Sequence, residues 1–475
     1  MYTEAMYTRR RFLETAVVGV GAGVLLPRFA LGARGDEGWE LVPEILARIK
    51  PPVFPERDFV VTAFGAVGDG VTDSTEAFRK AIAACRAAGG GRVVVPPGRF
   101  LTGPIHLASN VNLHVTKGAT IAFDTDPKKY LPAVFTRWEG MELYNYSPLI
   151  YAFEQENVAI TGEGTLDGQA GPEVWWPWKG TRGGATDGTQ AAARSRLMEM
   201  VERGVPVEER VFGEGDYLRP NFIQPYRCRK VLIEGVTILN SPMWEIHPVL
   251  CENVTVRRVK VVSHGPNNDG CNPESCRDVL IEDCLFDTGD DCIAIKSGRN
   301  ADGRRLGVPS ENVIVRGCRM KDGHGGVTIG SEISGGARNI FVERCTMDSP
   351  NLDRALRFKN NALRGGLIEH VYMRDVQVGQ VSDAVVSIDF HYEEGANGPF
   401  RPVVRHVEVR RVTGRKSKYV LYLRGLPGAV IEDVRLVDCR FDGVENPDVV
   451  EHVRGLRLED VRVNGRRAVV PAGAA

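Results

Sequence analysis

The chain has 475 residues, of which 43% are hydrophobic and 53 are glycine, so it is a globular protein with a large core and not a low-complexity chain. A formal net charge of −1 at pH 7 argues against nucleic acid or an anionic membrane as its partner. The ten cysteines have no CxxC spacing, so they give no support for a zinc site.

Residues 1–33 are a predicted export signal. Three arginines at positions 9–11 precede Phe12 and Leu13, and an apolar, glycine-rich run extends to Leu26. Charged, apolar and small-residue regions in this order are typical of a secretory signal, and the paired arginines resemble a twin-arginine signal. An uncleaved anchor is the alternative. We expect an exported protein, periplasmic or secreted, with no membrane span in the mature chain.

The stretch "TDSTEAFRKAIAACRAAGGG" is the first predicted helix of the folded domain. Asp73 and Glu76 stand in a capping-box relation, and Gly89–Gly91 ends the helix. We expect this helix to cover the open end of one repeat domain that spans residues 58–465.

An insertion of polar, partly helical sequence is predicted from about residue 173 to 219. It opens with "EVWWPWKG", which contains Trp175, Trp176 and Trp178. Aromatic side chains of this kind either pack as core or stack on sugar rings, and the sequence leaves both roles open.

One hexapeptide recurs through the second half of the chain: apolar, any, apolar, any, any, then Val or Cys. Nine copies begin at Val231, Val254, Val279, Val313, Ile340, Val371, Val407, Val434 and Leu456. Each copy reads as a short strand followed by a bend, and the spacing of the copies is too irregular for a propeller. A β-sandwich is the second competitor, and its strands would be joined by hairpin turns. The pattern predicts an all-β parallel β-helix, a solenoid whose coils bury their apolar faces against one another.

Four cysteines occupy the sixth hexapeptide position, where other copies have valine: Cys284, Cys318, Cys345 and Cys439. We expect them to stack in the interior as small hydrophobic residues. Cys271 and Cys292 are a candidate disulfide on neighbouring coils, which the sequence does not decide.

A second strand follows each hexapeptide by about ten residues. Aligning "DGCNPES", "DDCIAIKS" and "HGGVTIGS" predicts that Asp269, Asp290 and His324 form one column on successive coils, about 4.8 Å apart. Asp291 stands beside Asp290. Crowded carboxylates cannot all ionise easily, so at least one pKa should rise, which gives a proton donor beside an acceptor. This is the chemistry of glycosidic bond hydrolysis.

The next strand along carries "ALRFK". The period of two puts Arg357 and Lys359 together on its outward face, beside the aspartates, where they suit a substrate that bears carboxylates. Taken singly, these residues have ordinary roles as turn aspartates, a surface histidine and a solvated strand face. Their convergence in one place favours a catalytic site.

These residues resemble glycoside hydrolase family 28, the polygalacturonases. That family carries Asn-any-Asp-Gly, Gly-Asp-Asp, Gly-His-Gly and Arg-Ile-Lys elements in this order. Here they stand as Asn267–Gly270, Gly289–Asp291, Gly323–Gly325 and Arg357–Lys359, with Phe358 in place of the isoleucine. The resemblance extends from about residue 59 to the last coils.

The resemblance implies a right-handed parallel β-helix that hydrolyses α-1,4-linked galacturonate with inversion. It implies Asp290 as general acid, Asp269 and Asp291 as the residues that activate water, and His324 as the support of the acid. Simple geometry favours retention instead. Inverting enzymes separate their two carboxyl groups by about 6.5–9.5 Å, whereas neighbouring coils lie about 4.8 Å apart.

The resemblance further implies that Arg357 and Lys359 bind substrate carboxylate, that Asn267 orients the site, and that no metal or organic cofactor takes part. The tryptophan-containing insertion, with "SPMWEIHPVLC", is similar to the bacterial exo-acting branch. An insertion of this kind could close one end of the cleft.

Three rival functions stay open at this level. A hydrolase of rhamnogalacturonan or xylogalacturonan is the nearest, although Arg357 and Lys359 together with His324 favour plain galacturonate. A pectate lyase would need a calcium site, which Asp269, Asp290 and their neighbour Asp291 could imitate. A non-catalytic β-helix would tolerate Asp290→Asn.

Overall fold

The computed structural model describes residues 38–181, 187–471 and 474, so the predicted export signal lies outside the described residues. Its strands stack in three parallel ladders, and each strand pairs with a strand of the next coil. The protein is a right-handed parallel β-helix, which confirms the predicted fold class. Within the described ranges, no helix combines the length and apolar character needed to cross a membrane.

The first ladder contains the nine hexapeptides. Val231 pairs with Val254, Val254 with Val279, and the same register continues to Val434. The apolar positions of the copies point inward and are buried, apart from the partly buried Leu458 of the last copy, which gives one continuous core. Its strands are Asp58–Val60, Gly91–Val95, Val111–Val115, Glu156–Gly162, Arg229–Glu234, Glu252–Arg257, Arg277–Glu282, Ser310–Arg316, Ala337–Glu343, Leu367–Arg374, Val403–Arg410, Ile431–Phe441, Val453–Arg454 and Arg457–Val463, to which Arg466–Arg467 adds an antiparallel end.

Two further ladders complete each coil. The second consists of Asp69–Asp73, Gly98–Thr102, Ala119–Phe123, Thr165–Asp167, Thr237–Leu239, Lys260–Ser263, Leu285–Thr288, Arg319–Met320, Thr346–Met347, Gln377–Gln380 and Thr413–Lys416. The third consists of Ile105–His106, Ile150–Phe153, Ile223–Tyr226, Ile293–Ile295, Val327–Ile329, Arg354–Lys359, Ala384–Asp389, Tyr419–Arg424 and Val449–Glu451. Single bridges through Ile246 and Cys271 carry the third ladder across two coils.

The described residues form four α-helices: α1 (Leu41–Arg48), α2 (Thr75–Ala87), α3 (Ala191–Glu202) and α4 (Asn300–Leu306). Four 3₁₀ helices accompany them at Val61–Phe64, Pro127–Tyr130, Trp176–Lys179 and Val207–Glu209. Helix α2 is the predicted cap and lies on the first coils, while α3 and two of the 3₁₀ helices fall in the predicted insertion. Helices α1 and α4 were not predicted.

The predicted capping box at α2 is wrong. Ser74 is the N-cap residue, and Asp73 Oδ1 accepts from the backbone N–H of Thr75 at 2.9 Å. Glu76 pairs with Arg79, one turn further on, instead of reaching back to the cap. The cation is the stronger partner for a carboxylate, because a charge-assisted bond exceeds one to an amide.

The cysteines confirm the predicted stack and correct the candidate disulfide. All ten lie within the described residues, are buried and are free thiols. Cys271 stands opposite Ile293, so Cys292 is displaced by one residue from the facing position. A second stack of Cys228, Cys251 and Cys276 immediately precedes three hexapeptide strands and was not predicted.

Helix α1 packs on the outer surface of the first ladder. Its Ile45 and the preceding Trp39 contact a cluster with Phe341, and the Trp39 and Phe341 rings lie 5.4 Å apart. At its end, the Arg48 guanidinium donates to both oxygens of Asp278, at 3.1 and 2.8 Å. This helix therefore joins the beginning of the described chain to coils more than two hundred residues away.

An antiparallel hairpin, Val134–Trp138 and Met141–Asn145, projects over the third ladder. Its tip touches the loop that follows the Gly-Asp-Asp coil, where the N–H of Arg299 donates to the Gly140 carbonyl at 3.0 Å. Only glycine suits this position, because φ is +79° and a Cβ would lie 2.7 Å from the Arg299 nitrogen. The hairpin thus forms one wall above the predicted site.

Candidate active site

A buried aspartate and two cations form the floor of the site on the third ladder. Lys359 Nζ donates to Asp291 Oδ2 at 2.5 Å, and Thr328 donates to Oδ1 at 2.8 Å. Arg357 lies 3.4 Å from the same Oδ1. Burial would raise the pKa of Asp291, but the charges of Lys359 and Arg357 hold it below its usual value. The predicted outward face of this strand is confirmed, with Phe358 in the core.

Asp290 lies at the mouth of the site beside a half-exposed histidine. His324 Nδ1 is 3.1 Å from Asp290 Oδ1, which also accepts the Asp291 N–H at 3.0 Å. Burial would raise the pKa of Asp290, but the contact with His324 and the charge of Lys359 lower it below the usual range. The same contact raises the pKa of His324. In this pair each group therefore favours the charged form of the other.

Asp269 lies deeper and is almost fully buried. Its Oδ2 accepts from Asn272 Nδ2 at 2.8 Å, and Lys296 Nζ is 3.7 Å away. Burial, followed by the charge of Asp290, raises the pKa of Asp269 well above its usual range. Two carboxyls with opposite pKa shifts therefore stand together, which is the arrangement expected of an acid and base pair.

The predicted column of carboxylates is displaced by one residue. Cys271 pairs with Ile293, so Asp269 lies opposite Asp291, while Asp290 lies opposite His324. The "DGC" and "DDC" motifs suggested the wrong register, because the connection between the second and third ladders is three residues longer before the first motif than before the second. Asp269 and Asp290 are consequently diagonal neighbours.

Asn267 lies at the rim with a left-handed backbone, at φ +57°. Its Oδ1 accepts from Arg219 Nη2 at 2.8 Å, and Arg219 Nη1 donates to the Pro266 carbonyl at 2.7 Å. Burial lowers the pKa of Arg219 to about 10. The neighbouring Asn268 is fully buried and accepts from Ser263 at 2.7 Å. This loop is therefore held in place by buried polar side chains that the motif did not reveal.

The prediction also missed a buried ion-pair chain behind the carboxylates. Lys296 Nζ donates to Glu332 at 2.8 Å and lies 4.4 Å from the centre of the Trp244 ring. Arg299 continues the chain, 3.2 Å from Glu332. The sequence signal was present, because "AIK" before Ser297 repeats the alternation of "RFK" and places Lys296 on the outward face.

These groups surround a cavity of about 360 Å³. Its walls come from the hairpin tip, the insertion and a loop after the strand Ala384–Asp389. The Tyr392 ring lies over Lys359 and Arg357, with its centre 5.4 and 5.8 Å from their charged atoms. The lining includes Glu139, Lys179, Arg194, Trp244, Asn267, Asp269, Asp290, Lys296, Arg299, His324, Glu332, Arg357, Lys359, Tyr392 and Glu393. Every predicted site residue except Asp291, which lies beneath the floor, lines this cavity.

The three tryptophans of the insertion pack as core and are absent from the cavity lining. Trp175 is buried against Tyr130, with ring centres 5.6 Å apart, and contacts Trp178 at 4.8 Å. Trp176 Nε1 donates to the Ser241 carbonyl at 2.9 Å. Of the two roles that the sequence left open, the structure supports packing.

One group of side chains in the described ranges has the spacing of metal ligands: His264, Asp287 and Asp322. It lies outside the cavity lining. Asp287 pairs with His264 at 3.0 Å and with Lys321 at 2.8 Å, so an imidazole and an ammonium group already face its carboxylate.

Comparison with known proteins identifies the family. The model of glycosyl hydrolases family 28 matches residues 214–455. The chain belongs to this family. A second model, rhamnogalacturonase A/epimerase, pectate lyase-like, matches residues 59–115 at the first coils. As a family 28 member the protein is a glycoside hydrolase.

Three relatives illustrate the similarity. A solved hyperthermoactive exopolygalacturonase from Thermotoga maritima is 49% identical, covers 91% of this chain and 97% of its own, and superposes with a TM-score of 0.87. A family 28 exopolygalacturonase from Yersinia enterocolitica is 20% identical over 86% of this chain and 76% of its own, with a TM-score of 0.70, and shows the shared fold. A probable polygalacturonase from Vitis vinifera is 29% identical over 77% of this chain and 70% of its own.

Proposed function

We propose that this glycoside hydrolase cleaves the α-1,4 bonds of polygalacturonate, the uronic acid chain of pectin, from one chain end and with inversion. The observation that carries the proposal is the juxtaposition of the carboxyls Asp269 and Asp290 with the cations Arg357 and Lys359 in one cavity. A substrate with a carboxylate on every sugar matches such a site. Family 28 membership and the names of its relatives support the same reaction.

In this mechanism Asp290 donates a proton to the glycosidic oxygen that leaves, and Asp269 removes a proton from the attacking water. Asp269 lines the cavity, whereas both oxygens of Asp291 are engaged by Lys359 and Thr328. We therefore assign Asp269 as the principal base, and Asp291 as the residue that holds Lys359 in place.

Burial raises the pKa of Asp269 and the contact with His324 lowers that of Asp290, so of these two carboxyls Asp269 is the one that binds a proton more readily before substrate arrives. A substrate carboxylate bound at Arg357 and Lys359 would offset their charge. The pKa of Asp290 would then rise, and the proton would move to the group that donates it. Substrate binding thus places the proton on Asp290, the general acid.

The diagonal placement of the acid and the base also eases the geometric objection to inversion. A step of one coil and one residue separates their backbones by about 5.8 Å, compared with about 4.8 Å for directly facing positions. Because the side chains of Asp269 and Asp290 splay outward, the distance between their carboxyl groups comes close to about 6.5 Å, the smallest separation that leaves room for the attacking water.

Exo action is supported by the closed end of the cavity. The hairpin tip brings Glu139 and the insertion brings Lys179 and Arg194 across the groove. A chain that entered here would meet this wall after a small number of sugars. We also propose that the protein is exported, periplasmic or secreted, on the support of the arginines and the apolar run in residues 9–26.

The test is a time course with polygalacturonate in the presence of a chelator, with products followed by mass spectrometry. Saturated galacturonate or a single short oligomer from the earliest point is the expected result. Mixed saturated oligomers would overturn exo action and keep hydrolysis. Unsaturated products, lighter by one water and lost with the chelator, would identify a lyase and overturn the proposal. Cleavage only of rhamnogalacturonan or xylogalacturonan would reassign the substrate.

A further inference from the structure

Two cations at the closed end of the cavity have donors that the protein does not use. Arg194 contacts Glu139 through Nε at 2.6 Å, while no hydrogen bond of its Nη1 or Nη2 occurs within the described residues. Lys179 lines the same wall and has no ion-pair partner in the described part of the chain. Arg299 also lies 3.3 Å from Glu139. One carboxylate is therefore surrounded by three cations.

The insertion holds the backbone of these two residues in place. Lys179 ends the 3₁₀ helix Trp176–Lys179, whose tryptophans pack on the core. Arg194 lies in the first turn of α3, and the backbone N–H of Gln190 donates to the Trp178 carbonyl at 2.7 Å. That bond joins the start of α3 to the short helix. The wall thus presents the basic groups of Lys179 and Arg194 to the cavity from a backbone that is held in place.

With the proposed acid and base, the order of the coils indicates which sugar of the substrate contacts the closed end of the cavity. Asp269, the base, lies one coil earlier than Asp290, the acid. The sugar attacked by water therefore lies over the earlier coils, and the leaving sugar lies over the later coils that carry Arg357. The insertion leaves the β-helix before the strand Ile223–Tyr226, still earlier in the stack. The closed end consequently receives the non-reducing terminus of the chain.

We propose that Lys179 and Arg194 bind the carboxylate of the non-reducing terminal galacturonate and so determine which chain ends the enzyme accepts. This inference rests on the proposed function and adds a second carboxylate-binding position to the one at Arg357 and Lys359. The two free guanidinium nitrogens of Arg194 suit bidentate recognition, and Lys179 adds a mobile point charge. The site selects a free uronate over a methyl ester or a neutral sugar at the terminal position.

The experiment compares two substrates: trigalacturonate, and the trimer with a methyl ester on its non-reducing terminal residue. For the wild-type enzyme we expect kcat/KM to fall about 10- to 100-fold on esterification, the loss of one charge-assisted contact. In the Lys179→Met/Arg194→Gln double variant we expect the two substrates to differ by less than about threefold. Arg203→Gln, at the exposed far end of α3, is the matched control and should discriminate like the wild type.

Each outcome bears on one claim. A double variant that still discriminates as the wild type does overturns the assignment of Lys179 and Arg194. A wild-type enzyme that leaves trigalacturonate intact overturns the proposed function instead. Where the double variant does not fold, the Lys179→Met variant decides, since this side chain has no ion pair to lose among the described residues. Undiminished discrimination there overturns the inference, and a partial loss supports it.

Discussion

Lys359 and Asp291 form a buried ion pair of 2.5 Å, although they are 68 residues apart in the chain and lie on coils separated by one other. Each charge would be costly to bury alone, and each depends on the other for compensation. Lys359 lines the cavity and Asp291 lies beneath it, so the pair supports the floor of the site and favours the ionised form of Asp291.

Lys359→Met should lower the free energy of unfolding by about 3–5 kcal/mol, because it leaves the Asp291 charge buried without its main partner. Addition of Asp291→Asn to that variant should restore most of the loss. Urea unfolding of the wild type, both single variants and the double variant measures the coupling as a double-mutant cycle. A cycle in which the two effects simply add would contradict the buried pair.

Asp290→Asn should reduce kcat by about 10²–10⁴-fold and leave the melting temperature close to that of the wild type, because the amide cannot donate the required proton. Asp287→Asn is the control, as this residue lies on the preceding strand and pairs with Lys321 away from the cavity. It should keep at least half of the activity. A fully active Asp290→Asn enzyme would show that Asp290 is not the acid.

The pKa of His324 is raised by its contact with Asp290, so the imidazole should stay charged above pH 6.5. The stability that this charge provides is complete below pH 6.5 and is lost as pH rises through the raised value. NMR titration of the His324 ring should show this raised pKa in the wild type and a return towards 6.5 in Asp290→Asn. Equal values in the two proteins would contradict the coupling.

The interior cysteine stack predicts different changes in the free energy of unfolding for two substitutions at Cys318. Other coils have valine at this position, so Cys318→Val should change the free energy of unfolding by less than about 1.5 kcal/mol. Cys318→Ser buries a hydroxyl in an apolar core and should cost about 1–3 kcal/mol. Denaturant unfolding under reducing conditions checks both. A serine variant as stable as the valine variant would show that the stack is polar.

Local periodicity was enough to predict the fold. The hexapeptide recurs with the same alternation in nine coils of the second half of the chain, and the first residues of the copies face one another from Val231 to Val434. The alternation in "ALRFK" similarly placed Arg357 and Lys359 on the outward face. Such features depend only on the strand itself, so the sequence contains them.

Features that depend on loops of unequal length were not predictable in this way. The register between Asp269 and Asp291 is decided by a connection that is three residues longer on one coil than on the next, and motif identity could not reveal it. Arg219 donates to the Pro266 carbonyl, 47 residues away in the chain, and Lys296 donates to Glu332 on the next coil. No local pattern encodes which acceptor each of these cations will contact.

Helix α1 changes how this solenoid should unfold. In an array whose coils touch only their neighbours, disorder can begin at one end and advance a step at a time. Here Trp39 and Arg48 contact outward-facing side chains of several central coils, from Asp278 to Tyr372. The central coils thus acquire non-local contacts that form only after a loop of more than two hundred residues closes, which favours slow folding with high cooperativity. A chain that lacked residues 38–50 would be expected to lose that cooperativity first in the middle of the stack, and not at its ends.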